Sequence, residues 1–131
     1  MQSNKLKTEF IQGTIAWAFY PLTDKIDKAK RRPVLIVSNS QSNFLDNDYI
    51  VLPITKAIRA QPFSLFIEPA DVEGDLPVSS ELCCNKPFTV RSNLITEPIG
   101  LLKRNRLEEV IQRIYEAIGI IIDVSPDEVS L

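Results

Sequence analysis

From residue 13 to about residue 102 the apolar positions come in short runs or at every second residue, and near the C-terminus the spacing changes to every third or fourth. The first pattern is that of strands and the second that of a helix. Gly13-Thr-Ile-Ala-Trp-Ala-Phe-Tyr20 is rich in β-formers and stops at Pro21, which predicts a first strand. Pro33-Val-Leu-Ile-Val37 is a continuous apolar run, mostly β-branched and entered through a proline, and predicts a strand buried on both faces. Ser38-Asn-Ser-Gln-Ser-Asn43 has no apolar period and predicts a polar turn. A third strand is predicted at Asp48-Tyr-Ile-Val-Leu-Pro53, leading into Ile54-Thr-Lys-Ala-Ile-Arg59, and a fourth at the alternating Pro62-Phe-Ser-Leu-Phe-Ile67. Glu68 to Pro77 predicts an acidic loop. Short strands follow at Ser80 to Asn85, Phe88 to Val90 and Ile99 to Leu101, spaced as in a small barrel.

The helical period is carried by Leu107, Val110, Ile111, Ile114, Tyr115 and Ile118, which predicts a helix from Arg106 to Ile118 with one apolar stripe for core or dimer packing. Asn105 is the expected cap, Glu108 the residue that reaches back to it, and Gly119 the left-handed stop. Ile120-Ile-Ile-Asp-Val124 reads as one more short strand or as a self-association segment, and Ser125 to Leu131 as a frayed end.

At 131 residues with 44% hydrophobic and 24% charged residues, the chain has the composition of one globular domain, taken as residues 1–131. No apolar run is long enough to span a bilayer, and Met1 to Phe10 lacks the apolar stretch of a signal peptide, so a cytoplasmic location is expected. Cys83 and Cys84 are adjacent and cannot close a useful loop, and two cysteines without a histidine do not make a structural zinc site. No cofactor or metal is expected. The absence of histidine also excludes Ser-His and Cys-His nucleophilic mechanisms, leaving any proton transfer to carboxylate, Arg, Lys, Tyr or Thr.

Charge is uneven. The segment Lys25-Ile-Asp-Lys-Ala-Lys-Arg-Arg32 carries five basic residues and one acid, so a net charge of −2 leaves the other residues at −6. A local positive strip on an acidic protein fits a polyanion at one face; it equally fits a solvated loop between two strands.

The order of these segments resembles the MazF/PemK family of toxins. The resemblance runs in register over about residues 9–119: Gly13-x-Ile-x-Trp-x-x-Tyr20, Arg32-Pro-Val-Leu-Ile-Val-Ser-Asn39, Val51-Leu-Pro-Ile-Thr55, Pro62-Phe63, Asn85-Lys-Pro-Phe-Thr89, then Ile99-Gly-x-Leu102 and the helix. Each block alone is common, whereas their shared order is fairly specific. The tail, 120–131, lies outside it. The resemblance implies a mainly β, α+β fold, a small SH3-like barrel with a C-terminal amphipathic helix. It further implies a homodimer, metal-independent cleavage of single-stranded RNA, a cognate antitoxin, and DNA binding together with that antitoxin.

Residue by residue, the arginine that opens the family's second strand corresponds to Arg32, a catalytic position in many members. A guanidinium there can hold a phosphate bidentately and stabilise the added charge of a pentacoordinate transition state. The same arginine is also explained as an anchor at the strand entrance. The family's threonine or serine at the end of the third strand corresponds to Thr55, whose hydroxyl can bond the scissile phosphate or orient the 2′-hydroxyl. Asp27 falls on the acidic position five residues before Arg32, where it serves as a general base or simply moderates the basic loop. Lys25, Lys28, Lys30, Arg31, Lys56, Arg59, Asn85, Lys86 and Phe88 are the expected RNA contacts, Phe88 as a base-stacking ring or an interior residue.

The sequence also departs from the family's pattern. One branch uses a histidine in the first long loop with a late Arg-x-Asp pair; here Ile26, Cys83 and Asn85 stand at those places. The usual Gly-rich loop before the Arg-Pro is replaced by Lys25 to Arg31. If Cys83 and Cys84 lie in a strand they face opposite ways, one into the core and one toward the groove. Two classes of function therefore stand side by side: an endoribonuclease, and a barrel that binds protein or nucleic acid without cleaving, as in the related topoisomerase-poisoning toxins.

Overall fold

A computed structural model describes residues 10–20 and 29–121. Eight strands, all paired antiparallel, form one strongly curled sheet: β1 (Thr14–Tyr20), β2 (Lys30–Ile36), β3 (Asp48–Thr55), β4 (Ser64–Ile67), β5 (Val72–Gly74), β6 (Ser80–Cys83), β7 (Phe88–Arg91) and β8 (Ile95–Leu102). The order is β4-β6-β3-β2-β1-β8-β5, with β7 paired to β3. Helix α1 (Ser40–Asp46) joins β2 to β3, and α2 (Arg104–Ile118) follows β8. The small β-rich barrel with a C-terminal helix is thus the observed architecture. Its two edge strands, β4 and β5, do not pair with each other.

The curl gives the sheet two packed faces, which is why β2 needs an unbroken apolar run. Leu35 joins one core with Ile15, Leu52, Ile67 and Leu82, while Val34 and Ile36 join the other with Ala16, Ala18, Val51 and Val90. Each fully buried large aliphatic side chain here stabilises the fold by about 1.5–3 kcal/mol. Helix α2 seals the first core through Val110, with Leu107 and Ile114 packed beside it. It is also tied to the edge strand: Arg106 donates to the Phe66 carbonyl and Arg113 to the Ser64 carbonyl. These bonds occupy two outward carbonyls of β4 and block that edge from pairing further.

The ladder between β2 and β3 is short, with the register Val34↔Pro53, Leu35↔Leu52, Ile36↔Val51. It stops at Pro33, which faces β3 opposite Ile54 and has no amide to donate. Beyond that point the ends of the two strands are free of each other, and this opening shapes the site.

Several elements differ from the sequence expectation. The polar segment after β2 is a helix, α1, because Asn39 caps it by accepting the Ser42 amide at 3.0 Å and Asn47 ends it at φ 58. Asn43 on α1 is buried and donates to the Ser38 carbonyl at 3.1 Å, so polar contacts rather than an apolar stripe hold it. The acidic loop contains a short 3-10 turn, Pro69–Asp71, and β5, where Gly74 takes φ +146 and packs its backbone against Gly100. Strand β8 begins at Ile95, four residues earlier than the expected Ile99.

Helix α2 starts at Arg104 from Lys103, which makes no side-chain cap, so Asn105 lies inside the helix; Glu108 pairs instead with Arg104 at 3.5 Å. Gly119 has φ −60 and is no left-handed stop; a Cβ there would lie 2.9 Å from the Tyr115 carbonyl oxygen. The apolar stripe is split: Leu107, Val110 and Ile114 pack inward, whereas Ile111, Tyr115 and Ile118 remain exposed. Ile120 and Ile121 are exposed and in no strand; Val124 and the C-terminal end lie outside the described residues. Among the described residues no helix is long and apolar enough to cross a membrane.

Candidate functional site

The freed ends of β2 and β3 open into a groove of about 1160 Å³. Carrying the β2–β3 register two residues past Val34↔Pro53 sets Arg32 opposite Thr55, on one face of the sheet. The β3–β6 register then sets Thr55 opposite Glu81. Tyr20, next to Arg32 on the neighbouring strand, and Phe88, at the start of β7, close the same side; their rings meet at 4.9 Å and tilt by 55°. Arg32, Thr55, Tyr20 and Phe88 all line the groove, so residues 68 positions apart in sequence share one wall.

Charge in the groove is one-sided. Arg31, Arg32, Lys56, Arg59, Lys86 and Arg91 line it, and none of its described lining residues is a carboxylate. Arg31 is partly engaged, at 3.7 Å from Glu97 and 4.9 Å over the Trp17 ring, and Arg91 pairs with Asp48 at 3.5 Å. Among the described residues, Arg32, Lys56, Arg59 and Lys86 have no ion-pair partner. The Arg32 guanidinium sits 5.8 Å from the Tyr20 ring centre, and its Nε is buried without a hydrogen-bond partner among the described residues. A cation held by an aromatic face, with its donors unspent, is poised for an anion that enters the groove.

The Thr55 hydroxyl oxygen accepts the Ala57 amide at 3.1 Å, which fixes it and leaves its O–H to donate. The Tyr20 phenol is pushed up chiefly by burial, partly offset by Arg32 and reinforced by Cys83, so at neutral pH it is a donor. The Cys83 thiol lines the groove and is likewise raised by burial first, with Lys86 and Arg59 opposing and Glu81 reinforcing. Neither is a base or a nucleophile at neutral pH. Cys84 is fully buried in the first core, so the two cysteines do face opposite ways. The arrangement can grip phosphate and stabilise charge developing on it. Among the described residues no group of three or more Cys, Asp or Glu side chains is placed to hold a metal ion.

Of the site residues expected from sequence, the groove brings together Arg31, Arg32, Thr55, Lys56, Arg59, Lys86 and Phe88. Lys30 is exposed on β2 opposite Tyr20, and Asn85 is exposed in the turn after β6; neither lines the groove. Lys25, Asp27 and Lys28 lie outside the described residues. The structure adds Tyr20, Arg91 and the Trp17 face, which sequence spacing alone gives no reason to select. The buried Glu81 was also missed, since one acidic residue in an apolar stretch carries no periodic signal.

The family of PemK-like, MazF-like toxins of type II toxin-antitoxin systems matches the chain over residues 11–118. No curated protein matches it. Among solved structures it is similar to a mycobacterial endoribonuclease in complex with its cognate antitoxin: TM-score 0.69, 17% identity, 88% of this chain and 100% of that one. It is also similar to a Mycobacterium tuberculosis MazF toxin, with TM-score 0.63 and 24% identity over 82% of this chain and 98% of that one. A MazE-MazF complex from Deinococcus radiodurans gives TM-score 0.69 and 19% identity over 86% and 97%. At these identities the likeness establishes a shared fold.

Proposed function

This chain belongs to the PemK-like, MazF-like toxins of type II toxin-antitoxin systems, and from that membership we propose that it is an endoribonuclease that cuts single-stranded RNA in the cytoplasm without a metal ion. The observation that carries the reading is the groove itself: six cations and no carboxylate among its described lining residues, on a chain of net charge −2.

In this reading the 2′-hydroxyl oxygen attacks the adjacent phosphorus as the bond to the 5′-oxygen breaks, leaving a 2′,3′-cyclic phosphate and a free 5′-hydroxyl. Arg32 stabilises the charge that builds on the phosphoryl oxygens, and the Thr55 hydroxyl donates to one of them. Lys56, Arg59, Lys86 and Arg31 hold flanking phosphates, and Phe88 offers its ring for a base to stack on. Asp27, outside the described residues, is the carboxylate the resemblance puts forward to take the 2′-hydroxyl proton.

The chain acts as a single domain, residues 1–131, and as a homodimer neutralised by a cognate antitoxin. Ile111, Tyr115, Ile118, Ile120 and Ile121 give it an exposed apolar surface that such partners would cover. One observation favours the alternative of a non-cleaving binder: the described groove contains neither an imidazole nor a carboxylate to act as base. The deciding experiment incubates purified protein with a mixed RNA in chelator and maps the fragment ends. Cleavage leaving cyclic phosphate ends supports the enzyme, and intact RNA that is nevertheless bound supports the binder.

A further inference from the structure

Arg32 reaches the groove from a strand, whereas Lys56 and Arg59 ride on the exposed connection between β3 and β4. A cation on an exposed connection is a poor phosphate ligand unless its backbone is already ordered, because binding must otherwise supply the ordering entropy. What orders this connection is Glu81. On β6, opposite Thr55, it is only 3% exposed. Its two carboxylate oxygens accept the Arg59 amide at 3.3 and 3.2 Å, and one of them accepts the Ala60 amide at 2.7 Å.

Among the described residues Glu81 forms no ion pair. Its buried charge is therefore met by two consecutive backbone N–H groups, an arrangement suited to an anion. Ala60 at φ 51 and Phe63 at φ 68 take left-handed conformations, costly for residues with a Cβ and maintained where the surroundings impose them. Thr55 holds the near end of the same connection through the Ala57 amide.

We propose that Glu81 is a positioning residue: its carboxylate fixes the Lys56–Ala60 segment so that Arg59 presents its guanidinium to an RNA phosphate in the groove. The inference rests on the RNA reading given above. Glu81 itself does not touch substrate, since it is buried and both oxygens are taken. It acts through Arg59.

The test compares wild type, Glu81→Ala, Glu81→Gln, Arg59→Ala and the double variants. Amide hydrogen exchange is read without RNA, and kcat and KM on one RNA oligonucleotide. In Glu81→Ala, exchange at Arg59 and Ala60 rises at least tenfold while β1 and β2 stay protected. KM rises as far as in Arg59→Ala with kcat within about twofold, and adding Arg59→Ala changes little more. Glu81→Gln keeps one acceptor oxygen and restores most of both readings. Should Glu81→Ala not fold, Glu81→Leu, which fills the buried volume but accepts no hydrogen bond, takes its place in the same cycle with Arg59→Ala.

An Arg59→Ala effect equally large with and without Glu81 overturns the proposal, and so does unchanged exchange at the two amides. Faster exchange at both amides in a protein that binds no RNA would instead overturn the RNA reading and leave the anchor in place.

Discussion

Replacing Arg32 with alanine removes a side chain whose structural and chemical contributions differ enough in size to be separated. Its structural contacts are modest: the guanidinium lies 5.8 Å from the Tyr20 ring centre, and no ion pair forms among the described residues. Removing a partly exposed cation–π interaction costs about 0.5–1 kcal/mol. For a chain of this size that lowers Tm by only a few degrees. Removing a stabiliser of transition-state charge costs about 2.7–4 kcal/mol, or roughly a hundred- to thousandfold in kcat.

Arg32→Ala should therefore remain folded, abolish growth inhibition, and cleave a defined RNA at least a hundredfold more slowly. Arg32→Lys should recover only part of the rate, because an ammonium cannot reproduce the two-pronged grip. The assay is single-turnover cleavage in chelator, run beside thermal unfolding of each variant. Full cleavage by Arg32→Ala would refute the assignment, and loss of cleavage on changing Asp27, Asn85 or Lys86 instead would move the site away from β2. A drop in Tm large enough to unfold the variant would show that Arg32 is chiefly an anchor.

Thr55→Ala should be the next most damaging change but milder, roughly 2- to 12-fold in rate, since a neutral hydrogen bond contributes about 0.5–1.5 kcal/mol; a loss as large as that of Arg32→Ala would contradict this ranking. Replacing Lys28 and Lys30 with glutamate should weaken RNA binding and lower the salt dependence by about 0.7 in log–log slope for each phosphate no longer neutralised, whereas unchanged affinity would make that segment a connector. Burial pushes the Cys84 thiol up to about 11 from an ordinary 9, so the stability gained by keeping it neutral is complete below pH 9 and lost as pH rises through 11; Cys84→Ala should flatten the fall in stability across that window, as read by denaturant titration. In native protein near pH 8, Cys83 should alkylate slowly and Cys84 not at all, checked by mass spectrometry of peptides. Sedimentation at micromolar concentration should show a dimer, and a lone 14.8 kDa species would refute it.

The sequence by itself determined the elements whose signal is local and apolar. The unbroken run 33–37 demanded a strand covered on both faces, and the spacing of Leu107, Val110 and Ile114 demanded a helix with a core-facing side. Both follow from side-chain period, which is fixed by backbone geometry alone. It was silent or misleading where polar contacts do the folding, as in α1, held by Asn39 and Asn43, or where a backbone must pass close, as at Gly119. It also marked Arg32 and Thr55 through family resemblance, without showing that they could meet.

Only the tertiary structure decided that they line one groove. Pro33 ends the β2–β3 ladder, and Arg32 and Thr55, one pair of positions beyond it on the same face, both line the opening. Tyr20, Phe88 and the Lys56–Ala60 segment then reach that opening from β1, β7 and the β3–β4 connection. Such convergence depends on strand register and sheet curl, properties of pairs of strands rather than of any one segment. The same reason hid Glu81, because a buried carboxylate is intelligible only once the two amides that it receives, more than twenty residues earlier, are seen to point at it.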